Sequence, residues 1–208
     1  MIITYMGKQF FKIQQGELVV AFNPISKDSK SGVKVSRFGS ALALSTTNHP
    51  DYNGFEAVSH GDTVPFEVHG PGDYEIKDVF IKGILTDTSI DGKMYMNTIY
   101  TLTIEGISIC FLGANKESKF GVELREQIGS PDILLVPIGH KDLLSPSEAY
   151  KLAVSLEPKI IIPMEYDMAT LKVFLKESGQ DQVKPIDKLT IKAKELAGRE
   201  GEVIVLSS

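Results

Sequence analysis

Residues 131–166, PDILLVPIGHKDLLSPSEAYKLAVSLEPKIIIPMEY, hold the clearest structural signal in the chain. Two apolar runs, DILLVPIG and KIIIPM, lack alternation of polar and apolar residues, which is typical of strands buried on both faces. Between them, Ser145, Pro146 and Glu148 match a capping box, and Pro158 ends a segment with apolar residues at i, i+3, i+4 and i+7. The stretch therefore predicts a strand–helix–strand unit with a right-handed parallel crossover.

The flanking sequence predicts many strands before this unit, and a helix and a strand after it. Short runs rich in β-branched and aromatic residues recur at intervals of roughly ten residues, and this spacing predicts consecutive antiparallel strands. The runs are IITY, FFKI, ELVVAF, ALAL, PFEV, VFIKGIL, TIYTLTI and ISICFL. After the unit, a helix is predicted over residues 167–179, with Asp167 as its cap and Gly179 at its end, followed by the strand GEVIVL. Together these elements indicate a layered α/β sandwich.

The composition predicts one domain over residues 1–208, since 42% of the residues are apolar and no linker divides the chain. A net charge of −5, with no cluster of lysines or arginines, argues against a nucleic-acid surface. No apolar window is long enough for a transmembrane helix, and the opening MIITYMGKQFFKI lacks the features of a secretory signal. We therefore expect a cytoplasmic protein with no membrane and no nucleic-acid partner.

Several stretches resemble, in order, the metallo-β-lactamase superfamily, and in particular its small-domain branch of ascorbate-6-phosphate lactonase-like Zn-dependent hydrolases. They are ITYMGKQFFKI, FNP, GPGDYEIKDVFIKGI, NTIYTLTIEGISICFLG and the strand–helix–strand unit, and they cover nearly the whole chain. The resemblance implies an αββα four-layer sandwich with a metal cleft at one edge. In active relatives two divalent metals there lower the pKa of a bridging water, so that hydroxide attacks an ester, lactone, amide or phosphodiester.

Most of the ligand positions implied by the resemblance hold other residue types here. The family signature His-x-His-x-Asp-His falls on Thr47, His49, Asp51 and Tyr52, so one histidine of three and the aspartate are kept. At three later positions the family has a histidine, a metal-bridging aspartate and a last histidine. This chain has Thr88, Ala114 and Glu165 there, in that order. Two further departures are Gly7-Lys8-Gln9 for Gly-His-Ser and Phe111 for the histidine of a His-x-Gly motif. The resemblance therefore predicts a degenerate metal site with no cofactor.

The stretch STTNHPDYNG, residues 45–54, allows two interpretations. The sequence Asn-His-Pro-Asp favours a turn, so His49 and Asp51 can be remnants of a metal site or simply local structure. Alternatively His49, Asp51, Glu165 and His140 converge in a rebuilt site for one Zn or Mn ion, with Asp51 as the catalytic candidate, because two imidazoles and two carboxylates suit a divalent metal.

Two hypotheses about function follow. The first is a non-catalytic binding or scaffold protein that keeps the fold without the metals, takes a small molecule in the cleft and forms a homo-oligomer. The alternative is a metal-dependent hydrolase of an ester, lactone or phosphodiester with a nonstandard single-metal site. The remaining candidates have simpler interpretations: His60 and His69 are glycine-flanked turn residues, GPGDYE is a tight turn between strands, and Cys110 is a buried small hydrophobe.

Overall fold

A computed structural model describes residues 1–208, which form thirteen strands in two sheets, three α-helices and two 3₁₀-helices. The strands are β1 (Ile2–Tyr5), β2 (Phe11–Gln15), β3 (Leu18–Phe22), β4 (Leu42–Leu44), β5 (Phe66–Val68), β6 (Gly72–Ile76), β7 (Val79–Ile90), β8 (Lys93–Ile104), β9 (Ile107–Phe111), β10 (Ile133–Pro137), β11 (Ile160–Met164), β12 (Leu189–Thr190) and β13 (Glu202–Val203). The α-helices are α1 (Val122–Ile128), α2 (Pro146–Ser155) and α3 (Met168–Glu177), and the 3₁₀-helices span Phe55–Ala57 and Ala193–Leu196. None of the helices is long and apolar enough to cross a membrane.

The strands form a six-stranded sheet in the order β12-β1-β2-β3-β4-β5 and a seven-stranded sheet in the order β13-β11-β10-β9-β8-β7-β6. The predicted parallel pairing of β10 with β11 across α2 is confirmed. The prediction of consecutive antiparallel strands is wrong for β4, which pairs in parallel with both β3 and β5. The cause is that long connections, residues 23–41 and 45–65, return the chain to the same end of the sheet.

Three apolar clusters hold the layers together. The largest lies between the two sheets, and the second lies between the seven-stranded sheet and helices α2 and α3. The outer face of the six-stranded sheet is covered by residues 24–41 and the Phe55–Ala57 turn. The predicted αββα sandwich is confirmed, although on this side the outer layer is mostly irregular chain.

The helix boundaries follow the local sequence signals. Ser145 and Asp167 both form complete capping boxes, and Gly179 adopts a positive φ after α3, as predicted. Helix α1 was not predicted, because it has only seven residues and no side-chain cap at Gly121. The segment GPGDYE is not only a turn: Gly70 and Pro71 make the bend, and β6 begins at Gly72.

Phe111 joins the two sheets at the end of β9. Its ring stacks on Phe22 at a centroid distance of 4.7 Å and meets Phe11 edge-on at 6.2 Å. The side chain is fully buried in the inter-sheet cluster. An aromatic residue at this position therefore contributes to the core, where the related family carries a histidine.

We expect Phe111→Ala to lower the free energy of unfolding by about 3–5 kcal/mol, because it leaves a cavity between the sheets. Phe80→Ala on the same sheet, where the side chain is 61% exposed, should change it by less than about 1 kcal/mol. Urea denaturation of both variants measures the difference. Similar losses in the two variants would contradict the assignment of Phe111 to the inter-sheet core.

Candidate functional site

A lysine bridges two carboxylates at the edge where the loops after β1, β4 and β11 meet. The Nζ atom of Lys8 lies 2.9 Å from Oε1 of Glu165 and 3.2 Å from Oδ2 of Asp51. The exposed fractions of the three side chains are 21%, 5% and 13% for Lys8, Glu165 and Asp51. One ammonium group therefore faces two carboxylates in a largely desolvated position, with a net charge of −1.

Both carboxylate oxygens of Glu165 are fully engaged by protein donors. Gln9 donates from Nε2 to Oε2 at 2.7 Å, and the Tyr52 hydroxyl lies 3.2 Å from Oε1 and 3.1 Å from Oε2. Lys8 supplies the charged contact to Oε1. Neither the side chain of Gln9 nor that of Tyr52 is exposed to solvent. The acid at the last family ligand position is thus held by an amide, a phenol and an ammonium.

The backbone around Lys8 and Glu165 is fixed by a second set of contacts. The Glu165 amide donates to the Lys8 carbonyl at 2.8 Å, and the Tyr5 hydroxyl donates to the same carbonyl at 2.7 Å. Lys8 and Glu165 both have positive φ angles, 55° and 52°, which cost energy for residues with a Cβ. Backbone strain at both ends of one ion pair indicates that surrounding contacts hold this geometry.

The protonation states at the site follow from burial and charge. Burial lowers the pKa of Lys8, but the negative charge of Glu165 and then that of Asp51, with their hydrogen bonds, outweigh it and raise the pKa. Burial, followed by the charge of Glu165, raises the pKa of Tyr52 well above its usual value. Lys8 is therefore an ammonium and Tyr52 a neutral hydrogen-bond donor at physiological pH.

The other altered family positions are joined by a neutral hydrogen-bond network around Asn97. Its Oδ1 accepts from the Thr47 hydroxyl at 3.3 Å and from the Ala114 amide at 2.9 Å. The Thr88 hydroxyl donates to the Ala114 carbonyl. No buried side-chain nitrogen or oxygen atom of the chain lacks a partner. The polar side chains at these positions are therefore hydrogen-bonded within the protein, and none needs a metal ion as its partner.

His49 and His140 line one cleft of about 390 Å³ with Asp51 and Asp91. The Nδ1 atom of His49 accepts a hydrogen bond from the Asp51 amide at 3.2 Å, and that of His140 accepts one from the Asp142 amide at 3.2 Å. An acceptor nitrogen carries no hydrogen, so each neutral ring has its hydrogen on Nε2. A metal-binding histidine has the opposite arrangement, in which the nitrogen away from the metal donates its N–H.

The residues at this edge do not fit the metals of the related family. No three His, Cys, Asp or Glu side chains of the chain lie together in a way that could hold a metal ion. Of the four predicted ligands, His49, Asp51 and His140 line the cleft, whereas Glu165 is joined to Asp51 only through Lys8. The ammonium lies between the two carboxylates that a metal would need.

The other sequence candidates lie elsewhere. His60 and His69 are exposed, and His69 pairs with Glu67. Cys110 is completely buried, and burial raises the pKa of its thiol. Lys8 and Gln9 were missed as site residues, although the replacement of Gly-His-Ser by Gly7-Lys8-Gln9 was the signal that could have found them.

Known proteins resemble this chain in sequence. A family model described as the beta-lactamase superfamily domain matches residues 2–165. A UPF0173 protein of Pyrococcus furiosus is 32% identical over 113 residues, which cover 53% of this chain and 49% of that protein. A UPF0173 metal-dependent hydrolase of Thermococcus onnurineus is 32% identical over 82 residues, which cover 38% of this chain and 37% of that protein. The chain therefore spans about half or less of the length of the relatives it matches.

Solved structures resemble it over nearly its whole length. A Thermotoga maritima protein of the metallo-β-lactamase superfamily is 25% identical with a TM-score of 0.77, and the match covers 99% of this chain and 97% of that chain. Igni18, a metallo hydrolase from Ignicoccus hospitalis, is 18% identical with a TM-score of 0.61, covering 92% of this chain and 99% of that chain. The metallo-β-lactamase-like fold is confirmed.

We expect Lys8→Met to lower the free energy of unfolding by about 3 kcal/mol, since removing one partner leaves charges buried without compensation. The double variant Lys8→Met/Glu165→Gln should recover part of this loss, because it also removes one uncompensated carboxylate. Lys93→Met, at an exposed hairpin tip, serves as the control and should change stability by less than about 0.5 kcal/mol. Equal effects of Lys8→Met and Lys93→Met in urea denaturation would contradict the bridging role.

The contribution of Lys8 should also depend on pH in a defined direction. Because folding raises its pKa above the usual 10.5, the stabilisation is complete below that value and is lost as the pH rises through the folded pKa. The stability difference between the wild type and Lys8→Met should therefore be constant from neutral pH to about pH 10 and shrink above it. Urea denaturation of both proteins across this range tests the sign. A difference that widens at alkaline pH would contradict it.

Proposed function

The chain belongs to the beta-lactamase superfamily, and from that premise we propose that it is a metal-free, non-catalytic member that acts by binding a small molecule in its cleft. The proposal rests on one observation above all. The ammonium of Lys8 lies between Asp51 and Glu165, within 3.2 Å and 2.9 Å of their oxygens. It supplies the positive charge that a pair of facing carboxylates requires.

An ammonium group can neutralise carboxylates but cannot replace the chemistry of a metal. A divalent metal has open coordination positions and lowers the pKa of a bound water to about 7, which generates hydroxide. Lys8 has only N–H donors, and its raised pKa keeps it from acting as a base near neutrality. Neither Lys8 nor the neutral phenol of Tyr52 provides a route to a hydroxide nucleophile.

The neutral residues at the altered positions support the same function. Thr47, Thr88 and Tyr52 are buried and hydrogen-bonded within the protein, and Ala114 packs beside Tyr52 in a small apolar cluster. Since no buried side-chain nitrogen or oxygen atom there lacks a hydrogen-bond partner, these positions need no cofactor to satisfy them. A hydrogen-bonded scaffold of this kind, beside an open cleft, suits binding.

The alternative is a metal-dependent hydrolase with a single-metal site at His49, Asp51, His140 and Glu165. The name of the Thermococcus onnurineus relative favours this alternative, because it describes that protein as a metal-dependent hydrolase. The hydrogen bonds at His49 and His140 oppose it, since each Nδ1 accepts from a backbone amide and each Nε2 carries the hydrogen. We therefore prefer the metal-free function.

Elemental analysis of the full chain, purified without a metal-affinity tag, tests the proposal. We expect far less than one transition-metal ion per chain, and a melting temperature that neither a chelator nor added zinc or manganese changes. One or two tightly held ions per chain that Asp51→Asn removes and the control His60→Gln retains would contradict it. So would hydrolysis of a generic ester or phosphodiester that requires added metal and is lost in Asp51→Asn.

A further inference from the structure

We propose that the cleft between His49 and His140 is a binding site for a small oxyanion, a carboxylate or phosphate group, recognised by the Nε2–H groups of both imidazoles. The proposal rests on the metal-free function above and names the class of ligand that the cleft would take. Its basis is a pair of matching local structures on two different loops.

The two histidines have the same local geometry. Each begins a His-x-Asp sequence, His49-Pro50-Asp51 and His140-Lys141-Asp142, and in each the aspartate amide donates to Nδ1 at 3.2 Å. The Nδ1 lone pair is therefore occupied in both rings, and the remaining ring nitrogen is an N–H donor. His49 lies in the loop after β4 and His140 in the loop after β10, so two loops each supply one imidazole to the lining of the cleft.

The ring of His49 is held in place by aromatic neighbours. It meets Tyr95 edge-on at a centroid distance of 5.7 Å and lies tilted against Tyr52 at 5.7 Å. With the amide contact at Nδ1, these neighbours fix both the position and the rotation of the ring. A donor that is already oriented loses little conformational freedom when a ligand binds.

The carboxylates that line the cleft are mostly engaged by cations of the protein. Asp51 pairs with Lys8 and accepts from the Ser29 hydroxyl, and Asp91 pairs with Lys141 at 2.8 Å. The hydrogen bond and then the charge of Lys141 lower the pKa of Asp91. Asp28 is the one lining acid without an ion pair, and Lys30 two residues away lines the same cleft.

Apart from Asp28, the lining groups without an ion pair are therefore donors: two imidazole N–H groups and the ammonium of Lys30. The positive and negative charges of the walls nearly balance, so recognition depends on short hydrogen bonds rather than on long-range attraction. A volume of about 390 Å³ lies at the small end of ligand pockets. These properties fit one oxyanion group on a small molecule rather than a polyanion.

Nitrogen-detected NMR of the histidine rings tests the proposal on the full-length protein, which has only four histidines. Inorganic phosphate and succinate are the probes, with sodium chloride at equal ionic strength as the control. We expect His49 and His140 to have their hydrogen on Nε2 and to shift saturably with phosphate or succinate at millimolar concentration. The signals of His60 and His69 should not move. Comparison of the two probes shows whether phosphate or carboxylate is preferred.

Variants at the two rings provide the second measurement. His49→Phe and His140→Phe keep a ring but remove the donor, so each should weaken binding about tenfold, as expected for a lost hydrogen bond to a charged group. His60→Phe, at an exposed turn outside the cleft, should leave binding unchanged. Circular dichroism confirms that each variant is folded, and a second readout comes from the ring signal of the histidine that remains.

The outcomes separate this proposal from the proposed function. If neither anion gives a saturable shift beyond that of chloride, or if the rings carry hydrogen on Nδ1, the oxyanion site is wrong while the metal-free function stands. If zinc binds stoichiometrically and shifts His49 and His140 together, both proposals are wrong. Saturable binding that both phenylalanine variants weaken, in a protein that holds no metal, supports both.

Discussion

The contact of the Lys8 ammonium with Asp51 and Glu165 is the interaction on which the rest of this edge depends. The two carboxylates come from loops that follow different strands in different sheets, and both are largely removed from water. Like charges in such a position repel and resist ionisation unless a cation lies between them. The ammonium of Lys8 meets this requirement from a third loop. The ion pairs therefore hold three separate loops together.

This requirement explains the unusual backbone around the site. Lys8 and Glu165 both adopt positive φ angles, and each contacts the other through backbone and side chain. Tyr5 ties the same two residues together through its hydroxyl. The strain is local, whereas the contacts that offset it come from both sheets. The geometry is therefore a property of the assembled sandwich and cannot be read from either loop alone.

Much of the fold could be predicted from sequence, because its signals are local. The capping boxes at Ser145 and Asp167 and the unbroken apolar strands determine the β10–α2–β11 unit and the helix that follows it. The parallel pairing of β4 could not be predicted, since it depends on where two long irregular connections return the chain. The same limit applies to the site. The resemblance to the family identifies His49, Asp51 and Glu165, because they stand at its ligand positions. The role of Lys8 instead depends on a contact with a residue 157 positions away in the sequence.

The residues at the family ligand positions depend on one another, so no single substitution would complete a metal centre here. An aspartate at position 114 would place a carboxylate in a buried apolar cluster with Tyr52 and Ile90. It would be the third carboxylate at this edge, after Asp51 and Glu165. A histidine in place of Lys8 would remove the only lysine that contacts Asp51 and Glu165. A metal centre presents lone pairs to a cation, whereas here the Nδ1 lone pairs of His49 and His140 accept hydrogen bonds from backbone amides. In the proposed site, a cleft that presents donors selects a ligand rich in acceptors, so the hydrogen bonds that oppose a metal ion favour an oxyanion.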